Sequence, residues 1–367
     1  MFLTVVQPQF KKLTLAVAFT LSALGSDIQA AGRANWTIQA EIKGQRVEGM
    51  PLSWSNSEVS LLARDGYLWQ FPPAEARNFR KTSTSFRSFS AGELRSSLEA
   101  ELGKNLEITG TGHYLVAHPR GKGAAWAGRF EELYRSFVHY FAVRGLTIKA
   151  PQFPLVAIVW SRQEDFLRYA AKEGHRPSTS MLGYYSPITN RIVLFDSTAT
   201  QGDWRQNAST IIHEATHQTA FNTGVHSRFA LPPRWIAEGL GMLYESPGVY
   251  DSRNHPDQAQ RVNRDRLEQF RQLVRAGRPA GNFLNLIGSD RLFETNTDVA
   301  YAESWAFAFY LAETQPRKYI ELLRKTATRA DFEPYSQAQR TADFTAIFGK
   351  DPRMMDAQFL RFIAELR

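Results

Sequence analysis

The chain has 367 residues, of which 43% are hydrophobic and 22% are charged, and its formal net charge at pH 7 is +8. This length is enough for a large core and for more than one domain. The chain contains no cysteine, which excludes disulfides and thiolate metal ligands. The basic residues are scattered among acidic ones and never reach the density of a nucleic-acid-binding patch. We therefore expect no nucleic-acid partner.

The first 30 residues have the pattern of a secretory signal peptide. The basic pair Lys11-Lys12 precedes the apolar stretch LTLAVAFTLSALG, and small residues follow up to Ala30 and Ala31. The alternative is an anchor that is never cleaved, which would be the protein's contact with a membrane, but the apolar stretch is short for a span. Because an exported protein without disulfides is typical of bacteria, we expect a periplasmic or extracellular bacterial protein.

Residues 35–82 predict a small β-rich module. Alternating apolar and polar residues, with breaks at Gly and Asn-Ser, indicate short strands, and the break at 64–66 predicts a hairpin. The Ser/Thr-rich stretch KTSTSFRSFS that follows is typical of a linker. We expect the aromatic residues of the module to form its core rather than a platform for a ligand. These residues are Trp36, Trp54, Tyr67, Trp69 and Phe71.

Residues 91–330 predict one α+β domain, and the helical pattern continues through 331–367. Ser161 and Glu164 have the spacing of a capping box for the helix that follows them. Tyr184-Tyr185 and 191–195 predict a hairpin. Before that hairpin we expect a helix at 91–102, a strand pair at 106–118, an amphipathic helix at 127–144 and a buried strand at 155–160. After Pro247 we expect helices at 258–276, 298–314, 317–328 and 351–366.

Residues 213–217 read HEATH, an HExxH motif, within a helix predicted at about 205–223. His213 and His217 lie one turn apart on the same face, so both imidazoles can bind a single Zn²⁺. Glu214 points beside the metal, where it can take a proton from a water whose pKa zinc has lowered. The alternative is an accidental motif. The apolar residues around it favour the metal, because buried imidazoles and carboxylates need partners.

A third ligand is predicted on the next helix, at about 233–245. Pro232-Pro233 marks its start, and Glu238 lies 21 positions beyond His217. The alternative is a solvent-exposed glutamate, but the helix is largely apolar and a glutamate on such a surface requires a cation. We predict that His213, His217 and Glu238 bind one zinc ion per chain.

These segments resemble the gluzincin clan of zinc peptidases, and most closely a bacterial family of secreted, gluzincin-like proteins catalogued as a domain of unknown function. The resemblance rests on HEATHQ, on PPRWIAEGLGMLYE, and on blocks at 183–196, 217–228 and 301–311. It implies a zincin-like domain with a helical C-terminal lobe, with Glu214 as general base. Thermolysin-like members carry an Asp four residues after the third ligand, where this chain has Met242. A different residue must therefore orient the histidines.

The predicted function is zinc-dependent hydrolysis of peptide bonds, with a peptide, protein or cell-wall peptide as substrate. Tyr301 is the candidate to stabilise the oxyanion, and His226 is a second candidate. Tyr184 and Tyr185 belong to a hairpin whose backbone we expect to pair with an extended substrate. The alternative is a non-catalytic, zinc-containing protein that binds a peptide or the cell wall.

Overall fold

The computed structural model describes residues 35–197, 205–349 and 351–366. The predicted signal peptide at 1–30 lies outside the described residues. Within those ranges, no helix is both long and apolar enough to cross a membrane.

An antiparallel sheet forms the N-terminal module, in the strand order β4-β3-β2-β1-β5. The hairpin predicted at 64–66 is confirmed, and Gly66 has a φ of +90°, a conformation that favours glycine. The aromatic residues form the core of the module as predicted: Phe71 is buried, and the other four pack against the same cluster. The strands are β1 (Thr37–Ile42), β2 (Gln45–Trp54), β3 (Val59–Ala63), β4 (Leu68–Phe71) and β5 (Ala76–Ser83).

A mixed sheet lies at the centre of the next part of the chain. Its strands are β6 (Leu106–Gly110), β7 (Tyr114–Pro119), β8 (Leu155–Trp160), β9 (Gly183–Ser186) and β10 (Arg191–Phe195). They lie in the order β6-β7-β8-β10-β9, with β7, β8 and β10 parallel and the two outer strands antiparallel to their neighbours. The predicted hairpin of β9 and β10 is therefore present, and β9 is an edge strand.

Helices cover both faces of this sheet, and they are α1 (Ala91–Leu102), α2 (Gly123–Ala142), α3 (Gln163–Lys172) and α4 (Arg205–Thr223). The central strand β8 shows why its sequence, LVAIVW, is apolar throughout. Leu155, Ala157 and Val159 pack in one cluster with residues of α2 and α4. Val156 and Ile158 pack in another cluster with residues of α1 and α3. A strand buried on both faces needs apolar residues at every position rather than at every second one.

The C-terminal part is helical, as predicted. Its helices are α5 (Arg234–Tyr244), α6 (Pro247–Tyr250), α7 (Arg264–Arg275), α8 (Asn282–Gly288), α9 (Arg291–Thr295), α10 (Thr297–Thr314), α11 (Pro316–Ala327), α12 (Gln337–Phe348) and α13 (Pro352–Glu365). Residues on every side of α10 are buried in the largest hydrophobic cluster. A helix that is apolar on all sides is stable only when other elements surround it, so α10 lies at the centre of the helical lobe.

Three details of the predicted elements are wrong. The helix after β8 begins at Gln163 with Arg162 as N-cap and no side-chain cap, because Glu164 pairs with Arg162 at 2.8 Å instead of bonding to Ser161. The stretch predicted as a linker begins inside β5, which pairs with β1. The helix predicted at 258–276 is divided into a short 3₁₀ turn and α7, because the Asn263 side chain caps α7 by accepting from the Arg266 amide.

The β-module is joined to the rest of the protein through Arg228, which follows α4. Its buried guanidinium donates to the carbonyl oxygens of Pro187, at 2.8 Å, and Gly66, at 2.7 Å. The Leu68 amide donates to the carbonyl of Ile188 at 2.8 Å. Since Pro187 and Ile188 belong to the β9–β10 turn, the module contacts the hairpin that carries the edge strand.

Candidate metal centre

Helices α4 and α5 bring the three predicted ligands together. The Nε2 atoms of His213 and His217 are 2.9 Å apart. Oε2 of Glu238 lies 3.2 Å from the first and 3.6 Å from the second. All three residues are buried, and their ligand atoms lie close enough together to hold one metal ion.

The separations of these atoms fit a tetrahedral ion. Ligands at ~2.1 Å from zinc in a tetrahedron lie about 3.4 Å from one another. The observed separations of 2.9, 3.2 and 3.6 Å bracket that value. Two imidazoles and one carboxylate, without sulfur, are a donor set that suits zinc. The residues present therefore fit the ion that the sequence predicts.

A fourth residue, Glu245, orients His213. Its Oε1 accepts from Nδ1 of His213 at 2.8 Å, so Nε2, which faces Glu238 and His217, is the nitrogen left for a metal ion. Its other oxygen accepts from Asn263 at 2.9 Å. This residue takes the place of the acid that is absent at Met242. It lies seven residues after Glu238, so it occupies the same face of the helix two turns later.

Two glycines of α5 allow the close packing around the ligands. A Cβ at Gly241 would lie 2.7 Å from Cε1 of His213, so that imidazole rests against the helix backbone. A Cβ at Gly239 would lie 2.7 Å from the Ala308 side chain and from the Ser304 carbonyl oxygen. Gly241 therefore leaves room for the ring of His213, and Gly239 leaves room for α10.

Electrostatics hold the ligand set in a charged, paired state. Burial by itself lowers the pKa of His213, but hydrogen bonds to Glu238 and Glu245 raise it to about 10. Burial by itself raises the pKa of Glu238, but the charge of His217 and the hydrogen bond from His213 hold it well below its ordinary value. In the metal-free protein, a proton on the imidazole therefore balances the carboxylates at the position where a cation fits.

Glu214 lies beside this group with one oxygen held and one available. Oε2 accepts from the backbone amide of Tyr185 at 2.7 Å. Oε1 is buried and has no hydrogen-bond partner among the described residues. Burial raises the pKa of this carboxyl, although the charges of His213 and His217 oppose the change. A buried carboxylate oxygen without a partner is costly and indicates that a water or substrate atom belongs there.

The structure places Tyr184 and Tyr185 on β9, with both side chains buried. The Tyr184 hydroxyl donates to Glu173, and the Tyr185 hydroxyl donates to Asn190. Since the Tyr185 amide points at Glu214 and not at β10, the outer edge of β9 faces the site. A role for these residues in substrate binding stays a prediction, and it would use their backbone.

Tyr301, at the start of α10, is buried beside the ligands. Burial raises the pKa of its hydroxyl, and the negative charge of Glu238 raises it further. Its ring packs edge-on against Phe293 at 5.7 Å rather than against Trp305, which stacks on Phe309.

His226, the second candidate for the oxyanion, follows α4. Burial lowers the pKa of its imidazole to about 3, and the charge of His217 acts in the same direction. Neither ring nitrogen has a hydrogen-bond partner among the described residues. It is therefore a neutral imidazole.

Comparison with known proteins finds a matching family and a similar solved structure. None of the curated proteins compared with the chain matches it. Among solved structures, a mutant of an M1 zinc metallopeptidase from Deinococcus radiodurans, bound to Tyr-Ser-Ala, is similar with 14% identity and a TM-score of 0.38. The alignment covers 71% of this chain, which spans half (50%) of the length of that peptidase. Residues 207–333, which contain the candidate metal centre, match the family described as "Protein of unknown function (DUF1570)".

Proposed function

We propose that the protein is a zinc-dependent peptidase that hydrolyses amide bonds of peptides, with His213, His217 and Glu238 as metal ligands and Glu214 as general base. The observation that carries the proposal is the convergence of the three ligand atoms next to a buried Glu214 oxygen that has no partner in the described part of the chain. A zinc ion bound there would lower the pKa of a water molecule and polarise the substrate carbonyl.

The protein's own residues supply the proton transfers. The Tyr185 amide holds one oxygen of Glu214, so the other oxygen stays directed into the site. Because burial raises the pKa of Glu214, this carboxylate is a stronger base than an exposed glutamate. It accepts the proton of the attacking water and then delivers that proton to the amine that leaves.

The edge strand and α10 supply the remaining parts. The outer edge of β9 faces Glu214, and an extended peptide would pair there with the backbone carbonyls of Gly183 and Tyr185, because Glu214 already holds the Tyr185 amide; this pairing would fix the substrate's direction past Glu214. The Tyr301 hydroxyl, buried near Glu238, is a donor for the negative charge that develops on the carbonyl oxygen. Both roles are part of the proposal.

The substitution Glu214→Gln tests the proposal. This side chain forms no hydrogen bond with a ligand atom, so the variant is expected to keep its zinc, measured by elemental analysis, while turnover falls by at least ~10²-fold because the base is lost. The assay is a screen of peptides and cell-wall peptides with the zinc-loaded parent and variant.

Two results would contradict the proposal in different ways. Hydrolysis by Glu214→Gln at the parent rate would show that the base is another group. A peptide that binds equally to parent and variant, and that neither cuts, would favour the non-catalytic binding protein.

We propose further that the protein acts outside the cytoplasm of a bacterial cell. The pattern of residues 1–30 and the absence of cysteine support this location. Fractionation of cells, with the mass of the protein from each fraction, is the measurement. Recovery of the full-length chain from the cytoplasm alone would contradict it.

A further inference from the structure

A cation that has no counter-ion among the described residues lies next to the metal centre. Arg234, the first residue of α5, precedes Glu238 by one helical turn on the same face. That face contacts His213 through Glu238, Gly241 and Glu245. Arg234 therefore continues the stripe of residues that builds the site.

The Arg234 guanidinium packs on an aromatic ring that in turn contacts Tyr301. It lies over the face of Phe293, 4.4 Å from the ring centroid. The Phe293 ring in turn packs edge-on against Tyr301 at 5.7 Å. The charge of Arg234 opposes the rise in the pKa of Tyr301 that burial and Glu238 cause. The cation is thus close to the proposed oxyanion donor.

The side chain of Arg234 forms no hydrogen bond or ion pair with any described residue, and its Nε atom is buried without a partner. Asp290 lies beside Arg234 and accepts from its backbone amide at 2.9 Å. Both oxygens of Asp290 are bound by Arg340, at 2.9 Å each. This acid therefore does not neutralise the Arg234 guanidinium.

A half-buried guanidinium without an acceptor is costly, and its planar fork matches a carboxylate. We propose that Arg234 binds a carboxylate of the substrate and thereby selects peptides that carry a negative charge on the Tyr301 side of the metal centre. The carboxylate is either the C-terminal group of the peptide or an Asp or Glu side chain. The inference rests on the proposed function for the statement that the substrate is a peptide.

The test uses the full-length, zinc-loaded Glu214→Gln protein, so that binding is measured without cleavage. Three N-acetylated peptides are titrated by calorimetry: trialanine, trialanine amide, and the amide in which the last alanine is aspartate. Trialanine is expected to bind at least ~10-fold more tightly than its amide, because only the acid gives the guanidinium a charged acceptor. The aspartate peptide distinguishes the sources: tight binding assigns the site to a side-chain carboxylate as well.

Variants of the protein identify the side chain that causes the preference for the acid over the amide. Arg234→Met in the same protein is expected to bind acid and amide equally, whereas a carboxylate that bound the zinc ion would keep its advantage. Arg291→Met is the matched control, because Arg291 is an exposed arginine on α9, two residues before Phe293, and the preference should survive there. Arg234→Lys keeps the charge without the fork, so a reduced preference is expected.

Three results would overturn the inference: equal binding of acid and amide, no binding of any of the peptides, or a preference that persists in Arg234→Met. Thermal unfolding controls for the fold, and Arg234→Met is expected to unfold no earlier than the parent because no hydrogen bond is lost.

Hydrolysis by the parent is scored separately. A parent that cuts acid and amide at equal rates contradicts only the role of Arg234, and a parent that binds with the preference but never cuts contradicts only the hydrolase.

Discussion

His213 depends on two residues of α5 and on Glu245, the residue that ends this helix. Glu238 and Glu245 bind its two nitrogens, and Gly241 leaves room for its ring. The hydrogen bond at Nδ1 fixes the tautomer in which Nε2 is a ligand. The affinity of such a site for its metal depends on how well its histidines are oriented.

Removing the acceptor of Nδ1 is expected to weaken metal binding. Glu245→Ala should raise the Kd for zinc by about 10–100-fold, because the imidazole loses the partner that orients it. Competition with a chromophoric chelator measures the change. Glu294→Ala removes an exposed glutamate on α9 and serves as control. A Glu245→Ala protein with the parent's affinity would show that His213 is held by packing alone.

The raised pKa of His213 predicts a pH dependence for the metal-free protein. Its folded pKa of about 10 exceeds the ordinary value of 6.5, so the stabilisation is complete below pH 6.5 and is lost as pH rises towards 10. Denaturant unfolding in the presence of a chelator should therefore show stability falling over this interval. Glu245→Gln should reduce the fall. A stability that stays level from pH 6.5 to 10 would contradict the pairing.

Helices α4 and α5 form an element in which backbone contact matters as much as side chains. The predicted bounds of these helices, about 205–223 and 233–245, agree with the observed ones to within a residue. The signals were local: the HExxH spacing and the proline pair that begins α5. Glu245, the partner of His213, was not predicted, because the angle at which two helices cross cannot be read from the sequence. The seven-residue spacing from Glu238 to Glu245 is the signal that would have found it.

Gly241 offers a test at the level of helix packing. In Gly241→Ala the new methyl would lie within 3.0 Å of three atoms of the His213 ring, so the ring must move and zinc should bind at least ~10-fold more weakly. Gly128→Ala is the matched control in the middle of α2, where no atom lies within 4 Å. That change should raise the free energy of unfolding by roughly 0.5–1 kcal/mol. Unchanged zinc affinity in Gly241→Ala would place the ring elsewhere.

Helices α8, α9 and α12 escaped prediction for physical reasons. The first two, of 7 and 5 residues, are too short to establish an apolar period. Helix α12 buries only Phe344 completely, so its pattern is weak although a capping box at Ser336 marks its start. The strands β6 to β10 were predicted, because each combines an apolar run with a turn at its end.

At the scale of the whole molecule, the β-module supports the edge strand rather than standing apart. Arg228 and Leu68 hold the β9–β10 turn from one side. Asn190, in that turn, exchanges hydrogen bonds with Asn222 of α4 on the other. Through these contacts the module fixes the position of the amide that holds Glu214.

Breaking this connection is expected to loosen the module. In Arg228→Met the carbonyls of Gly66 and Pro187 lose their buried donor, which should lower the free energy of unfolding by about 2–4 kcal/mol. Denaturant unfolding and limited proteolysis between β5 and α1 measure the effect. Arg80→Met removes an arginine of β5 that donates to Gln39 at the surface and should change little. Equal stability of the two variants would mean that the module is held by its apolar contacts alone.

The three ligands and their supporting acid all lie between positions 213 and 245. The chain segment that must close to assemble the centre is therefore short, and its loop-closure entropy is small compared with that of the sheet contacts. A metal ion present during folding can meet its ligands once α4 and α5 have formed and packed, before the module and the C-terminal lobe enclose them. Refolding in zinc, followed by fluorescence, should consequently be faster than refolding in a chelator, since the bound ion stabilises the packed pair of α4 and α5 early.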